Sequence, residues 1–319
     1  MALIKKLPVD PKINFMGKRK LFMAFSALLI ALSVFMVATR GLNFGIDFRG
    51  GVLIEIKTNG PADLTSLRSR MGSLNIGEVS LQEFGAPDEV LINIQKQDGD
   101  EKKQMEVIQF VKAELGGDVA EYRRVEFVGP KVGAELKQDG ALATIFALLG
   151  IGIYIWFRFE WQFSVAALLA LTHDVITTIG FFAITQYEFN LASLAAVLTV
   201  AGYSINDTVV IFDRVRDELR RYKKMEVLDI LNMAINKTLS RTVLTSVTTL
   251  LALFALFAFG GEVLRGLSLA LIWGVAIGTY SSIALAVPLL FATDVRSPVP
   301  EDEENGEGTE NGSENGQAA

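Results

Sequence analysis

The 319-residue chain has no cysteine and a single histidine. Without thiols there is no disulfide, no thiolate metal site and no cysteine nucleophile. The lone imidazole, His173, excludes any site that needs two. It also leaves no credible Ser/His/Asp triad. There is no GxxxxGK[ST] segment, so that kind of nucleotide-hydrolysing loop is absent too. Gly50-Gly51 sits at a strand entry and fits no phosphate loop. No enzymatic activity and no cofactor are expected. Net charge is small outside one segment. The net −6 comes from Glu301–Ala319, which holds seven acids and no base, and the rest of the chain sums to +1. Nothing in that balance calls for nucleic acid.

What the chain has is apolar surface: half of its residues are hydrophobic and the mean hydropathy is +0.36. Apolar runs near or above ~18 residues mark membrane helices. Six such runs occur, at 21–39, 141–157, 163–184, 191–212, 243–259 and 267–291. A cleavable leader usually has an apolar core of ~7–15 residues before small residues. The first run has 19 residues and ends in Val37-Ala38-Thr39-Arg40, so it reads as an uncleaved helix. Six spans place both termini on the same side. The first 20 residues hold six Lys/Arg and the segment 213–241 holds eight, whereas 185–190 holds none and 260–266 only Arg265. Positive loops stay cytoplasmic. The N-terminus, a basic loop 213–241 and the C-terminal tail are therefore expected inside. The segment 41–139 is expected outside, in the periplasm.

That outer segment is the one large polar stretch. Residues 52–57 alternate apolar and polar as a half-buried strand does. Residues 61–74 begin with Pro61 and read as a helix. Two further strands, 78–83 and 90–96, flank Gly85-Ala86-Pro87-Asp88. Asp100 stands as a cap before an amphipathic helix 101–115, which Gly116-Gly117 ends. A last strand covers 119–128. The order β-α-β-β-α-β is the ferredoxin-like arrangement. The expected fold is thus an α-helical polytopic membrane protein of six transmembrane helices, with a small α+β domain between the first two. The tail 297–319 is rich in Glu, Asn and Gly and is expected to be disordered.

Ionisable groups inside apolar spans are costly, face the bundle interior or water, and point to function. Asp174 lies mid-way along the third run, next to His173, and Asp207 lies inside the fourth. Arg241 opens the fifth. Tyr203 and Ser204 share the face of Asp207, with Asn206 beside it, and Thr245 and Thr248 share the face of Arg241. Asp207 and Arg241 enter from the same side and can meet at similar depth. Two readings stand side by side: a proton relay, and a static buried pair that fixes packing. His173 has the same two readings, shuttle or packing residue. Asp213 reads as an interfacial cap or loop contact. Gly274 and Gly278 form a GxxxG that favours close helix contact. The basic segment can meet solvent, anionic lipid or a partner.

Several segments together resemble the SecF family of protein-export membrane proteins. They are Phe44-Gly45-Ile46-Asp47-Phe48-Arg49-Gly50-Gly51, Val128-Gly129-Pro130-Lys131-Val132-Gly133, Thr172-His173-Asp174-Val175, Gly202-Tyr203-Ser204-Ile205-Asn206-Asp207-Thr208, Phe212-Asp213-Arg214 and Leu239-Ser240-Arg241-Thr242. The first is shared with SecD; the later ones look like SecF. The resemblance implies a subunit of the bacterial Sec export machinery in the inner membrane. Its implied partners are SecD, the SecYEG channel, YajC, translocating unfolded polypeptide and membrane lipids. The family is similar to proton-driven resistance-nodulation-division transporters, and its proton-path residues map onto Asp207, Arg241 and Thr245. Two other functions compete: a small-molecule or lipid exporter of the same superfamily, and a purely structural subunit with static charges. The small outer segment and the lack of an evident substrate pocket speak against the exporter.

Overall fold

The computed structural model describes residues 11–74, 76–77, 79–95, 101–293 and 295. Helix α1 spans Arg19–Arg40, and a short turn of helix, α2, spans Ile46–Arg49. A sheet domain follows, with β1 Gly51–Thr58, α3 Leu64–Ser73, β2 Val79–Phe84, β3 Ala86–Gln95, α4 Glu101–Leu115 and β4 Val119–Val128. Five long helical rods complete the chain: α5 Pro130–Arg158, α6 Trp161–Thr185, α7 Leu191–Arg221, α8 Val227–Phe259, and α9 Gly261–Ser281. The last continues through a π-helical stretch, Ser282–Ala286, into α10, Val287–Ala292. Among the described residues, six helices are long and apolar enough to cross a membrane, as the six runs predict.

The sheet is antiparallel with strand order β2-β3-β1-β4. Alternation places Val52, Ile54 and Ile56 of β1, with Val90, Ile92 and Ile94 of β3, on the face covered by α3 and α4. Leu67 and Met71, four apart, are the buried stripe of α3; Val107, Val111 and Leu115 are that of α4. The opposite face is thinner, with Leu53 and Leu91 packing on Ile46.

Several boundaries differ from the sequence reading. Helix α3 starts at Leu64, not Pro61, because the Asp63 carboxylate accepts the amides of Thr65 and Ser66 and so caps the first turn. The expected loop Gly85–Asp88 shrinks to a tight turn at Gly85 (φ +87°), and β3 begins at Ala86. The segment 213–241 is no loop. It is helical except for 222–226, since α7 runs on to Arg221 and α8 begins at Val227. An apolar run marks where a helix is in lipid; the backbone ladder continues into water as long as the side chains permit. Glu218 clamps this hairpin, accepting from Arg214 (2.8 Å) on its own helix and Lys237 (2.7 Å) on α8. The expected cap Asp100 and the tail 297–319 lie outside the described residues.

The rods sort into two groups. The most apolar window of α6 and that of the last span are each 61% buried, whereas those of α1 and α8 are 11% buried. Helices α6, α7 and α9 are therefore the inner bundle. α9 lies against α7 through Gly274, where a Cβ would stand 1.9 Å from Val200 Cγ2. Gly278 lies against Ser204 in the same way, so the GxxxG is a helix contact as read. Gly274→Ala should separate these helices and lower the thermal midpoint of the solubilised protein, at a cost of about 1–3 kcal/mol. Gly150→Ala, where a Cβ meets nothing within 4 Å, should leave the midpoint unchanged or raise it.

Candidate functional site

The two span acids have opposite surroundings. Asp174 lies near the middle of α6 and is fully buried. Its Oδ1 is 2.9 Å from His173 Nδ1. Its Oδ2 accepts from Ser204 Oγ of α7 and from Ser281 Oγ of α9, both at 2.6 Å. One carboxylate thus joins all three inner helices. The network extends outward: the His173 ring lies 6.4 Å from the Tyr280 ring, and the Tyr280 hydroxyl meets Ser26 Oγ (3.1 Å) and donates to the Phe22 carbonyl (2.9 Å) of α1. Thr177 and Thr178 bond the Asp174 carbonyl oxygen.

Asp207, one turn beyond Ser204 on α7, has no such set of donors. It is 4% exposed, and its Oδ2 has no hydrogen-bond partner. The charge of Arg241 acts on it through space, but no ion pair joins the two among the described residues. The static pair is not formed. Arg241 itself is exposed, as are Asn206 and Thr248. Counting from the ends of α7 and α8 nearer the sheet domain, Asp207 lies about 24 Å below Leu191 and Arg241 about 27 Å below Phe259. The similar depth is as expected.

Thr245 donates to the Thr242 carbonyl (2.9 Å) and Thr248 to those of Leu244 and Thr245, so both bond their own helix. Tyr203 reaches Thr249 Oγ1 across to α8 at 3.3 Å. Ser204 shares a helix face with Asp207 but serves Asp174. Asp213 sits within α7 and pairs at the surface with Arg158 of α5 (3.2 Å), a contact worth little. Ser281, Tyr280 and Ser26 were missed, since a hydroxyl in an apolar run usually bonds its own helix and carries no signal.

A third cluster, also missed, welds the sheet domain to the bundle. The segment around α2 meets the turn between α6 and α7. The Gly45 amide donates to the Phe189 carbonyl (3.0 Å) and the Phe189 amide to that of Asn43 (2.7 Å). Asp47 Oδ2 accepts the Leu191 amide at the start of α7 (2.9 Å), and Phe48 stacks on Phe189 while Phe44 meets both rings edge-to-face. Gly50 (φ +74°) and Gly51 (φ +137°) turn the chain from α2 into β1, which is what that glycine pair is for. Glu188 stands in this joint, between cavities of about 380 and 540 Å³ under the sheet. Burial pushes its carboxyl up, the Asp47 charge adds to that, and Arg49 and Arg124 oppose it.

Comparison with known proteins shows what the whole chain is similar to. Residues 108–296 match the model for "Protein export membrane protein SecD/SecF, C-terminal", and residues 35–62 match that for the "SecD/SecF GG Motif". The chain is 45% identical over 290 residues to a protein translocase subunit SecF of Rickettsia felis, covering 90% of this chain and 94% of the relative. It is 45% identical over 295 residues to the SecF of Calditerrivibrio nitroreducens, covering 91% and 96%. Among solved structures, SecDF of Thermus thermophilus, a translocon-associated membrane protein, superposes with a TM-score of 0.80 at 34% identity. That match covers 91% of this chain and 40% of the SecDF chain. SecDF in its super-membrane-facing form gives 0.66 at 34% identity, over 90% of this chain and 39% of the other.

The Glu188 joint makes a testable pH dependence. Its carboxyl is raised above 4.5 in the folded chain, so the folded state holds the proton more tightly than an opened joint does. The joint should be strongest in acid and lose stability as pH rises from 4.5 through the raised value. Hydrogen exchange at the amides of Gly45 and Phe189 reads this directly. Glu188→Gln should flatten the dependence; an unchanged slope in that variant would show that another group is responsible.

Proposed function

This chain belongs to the SecF family of protein translocase subunits, and on that premise we propose that it works beside SecD as a non-catalytic, proton-coupled subunit of bacterial Sec protein export. It sits in the inner membrane with both termini in the cytoplasm. The ferredoxin-like sheet domain lies in the periplasm, where it meets unfolded polypeptide late in translocation. The SecYEG channel and YajC are the wider partners. The positive-inside bias of the N-terminus and of the α7–α8 hairpin supports this orientation.

One observation carries the coupling. An exposed guanidinium, Arg241, and an exposed amide, Asn206, lie beside Asp207, whose Oδ2 has no partner. A charged side chain facing lipid costs about 2.5–3.5 kcal/mol at the centre of a span, less near its margin. Such a face is tolerable where a second membrane protein covers it. We assign it to the SecD contact, which would make Asp207 and Arg241 a site completed between two subunits. In that setting Asp207 alternates between a proton and the charge of Arg241, and each exchange changes what holds α7 against α8 and the partner. The lack of a bonded Asp207–Arg241 pair favours this over static charges.

Asp207→Asn keeps size and polarity and removes titration. Co-assembled with SecD in inverted vesicles, it should abolish the gradient-dependent part of export while the ATP-driven part and the complex itself persist. Gradient stimulation of parental size in that variant would sink the proposal.

A further inference from the structure

The Asp174 cluster is left unused by that mechanism, and its geometry is not that of simple packing. Two 2.6 Å hydroxyl contacts to one carboxylate oxygen fall in the range of charge-assisted O–H···O⁻ bonds. The other oxygen is held by His173 Nδ1, which fixes the imidazole with Nδ1 toward the acid. His173 Nε2 is then left buried with no hydrogen-bond partner. An orphaned buried nitrogen on an imidazole already bonded to an acid is an open proton acceptor. The groups around the pair are few. Ser204 faces it from α7, with Asp207 one turn on. Ser281 and Tyr280 face it from α9, Ser26 lies behind Tyr280 on α1, and Thr177 and Thr178 are on its own helix. Among the described contacts no other charged side chain reaches it.

We propose that the Asp174–His173 pair is a proton-binding site in the core of the inner bundle, separate from Asp207, and that its loading decides how firmly α6 holds α7 and α9. The proposal deepens the proton-coupled reading and rests on it for its biological use. The step conserves charge and atoms. A proton adds to Nε2, the Nδ1 proton passes to Asp174 Oδ1, and the pair ends as neutral acid and neutral imidazole of the other tautomer. The carboxyl is then uncharged, and the bonds from Ser204 and Ser281 lose the charge that made them short. Both donors belong to other helices, so the weakening falls between helices. Ser281 is followed at once by the π-helical stretch Ser282–Ala286, the one irregular turn described in the spans. π-helical turns occur frequently at functional sites. Here the turn gives α9 slack to move when the Ser281 bond loosens.

The single histidine makes the test direct. Nitrogen-15 histidine labelling of the full chain in lipid bilayers yields the resonances of His173 alone. Nδ1 and Nε2 should shift when the pH is stepped across roughly pH 5–8, in the parent and equally in Asp207→Asn. Amide exchange at residues 282–286, taken relative to the intrinsic rate at each pH, should rise several-fold on acidification. Resonances constant over that range, or exchange that ignores pH, would overturn the proposal. A titration present in the parent and lost in Asp207→Asn would refute a separate site. None of these readouts depends on export, so they stand apart from the Asp207 export assay, which judges the coupling itself.

Discussion

The Asp174 carboxylate is fully buried, so its solvation has to come from other side chains. It takes one donor from its own helix and one from each of two others. Burying an ionised carboxylate without such donors would cost several kcal/mol. The relative rotation and depth of α6, α7 and α9 are therefore tied to the places where Ser204 and Ser281 can reach it. Small residues make that approach possible: Gly274 and Gly278 bring α9 onto α7 beside Ser204. Packing and polar satisfaction select the same arrangement, which is why these helices are the buried ones.

The outer helices follow a different logic. α1, α5 and α8 present large apolar side chains to their surroundings, Phe35, Phe146 and Phe254 among them. Lipid satisfies such faces without further contacts. The face with Asn206 and Arg241 is the exception, because hydrocarbon offers those groups nothing. Polar groups on that face have no counterpart among the apolar faces of the other outer helices. The same division separates the acids: Asp174 is answered within the chain, Asp207 is not.

The sheet domain is held to this bundle by a joint rather than a linker. Backbone bonds between 43–45 and Phe189, the Asp47 bond at the start of α7 and the phenylalanine stack all converge on the turn between α6 and α7. That turn connects the helix carrying Asp174 to the helix carrying Asp207. The foot of the sheet domain therefore rests directly on the turn that joins these two helices. Glu188 stands in this foot, its carboxyl pushed up by burial and by the Asp47 charge.

Much of this was open to a reader of the sequence. Hydrocarbon thickness and backbone hydrogen bonding leave an apolar run of some twenty residues few alternatives to a spanning helix, so the six rods were legible. Period-two alternation with glycine turns located all four strands, and acids in apolar runs marked 174 and 207 as sites. What the sequence left open was what each marked residue meets. Helical periodicity put Ser204 with Asp207, yet the neighbour across the interface, Asp174, claims it. Thr245 and Thr248 share the face of Arg241, yet their hydroxyls bond their own backbone. Segment 213–241 looked like a loop, because a change from apolar to charged residues marks a change of solvent and not the end of a hydrogen-bond ladder. Sequence alone determined the elements and the chemistry each carries, since both are local. Only the tertiary structure decided which acid is satisfied and which is left open, because that depends on rotations between helices that no single helix encodes.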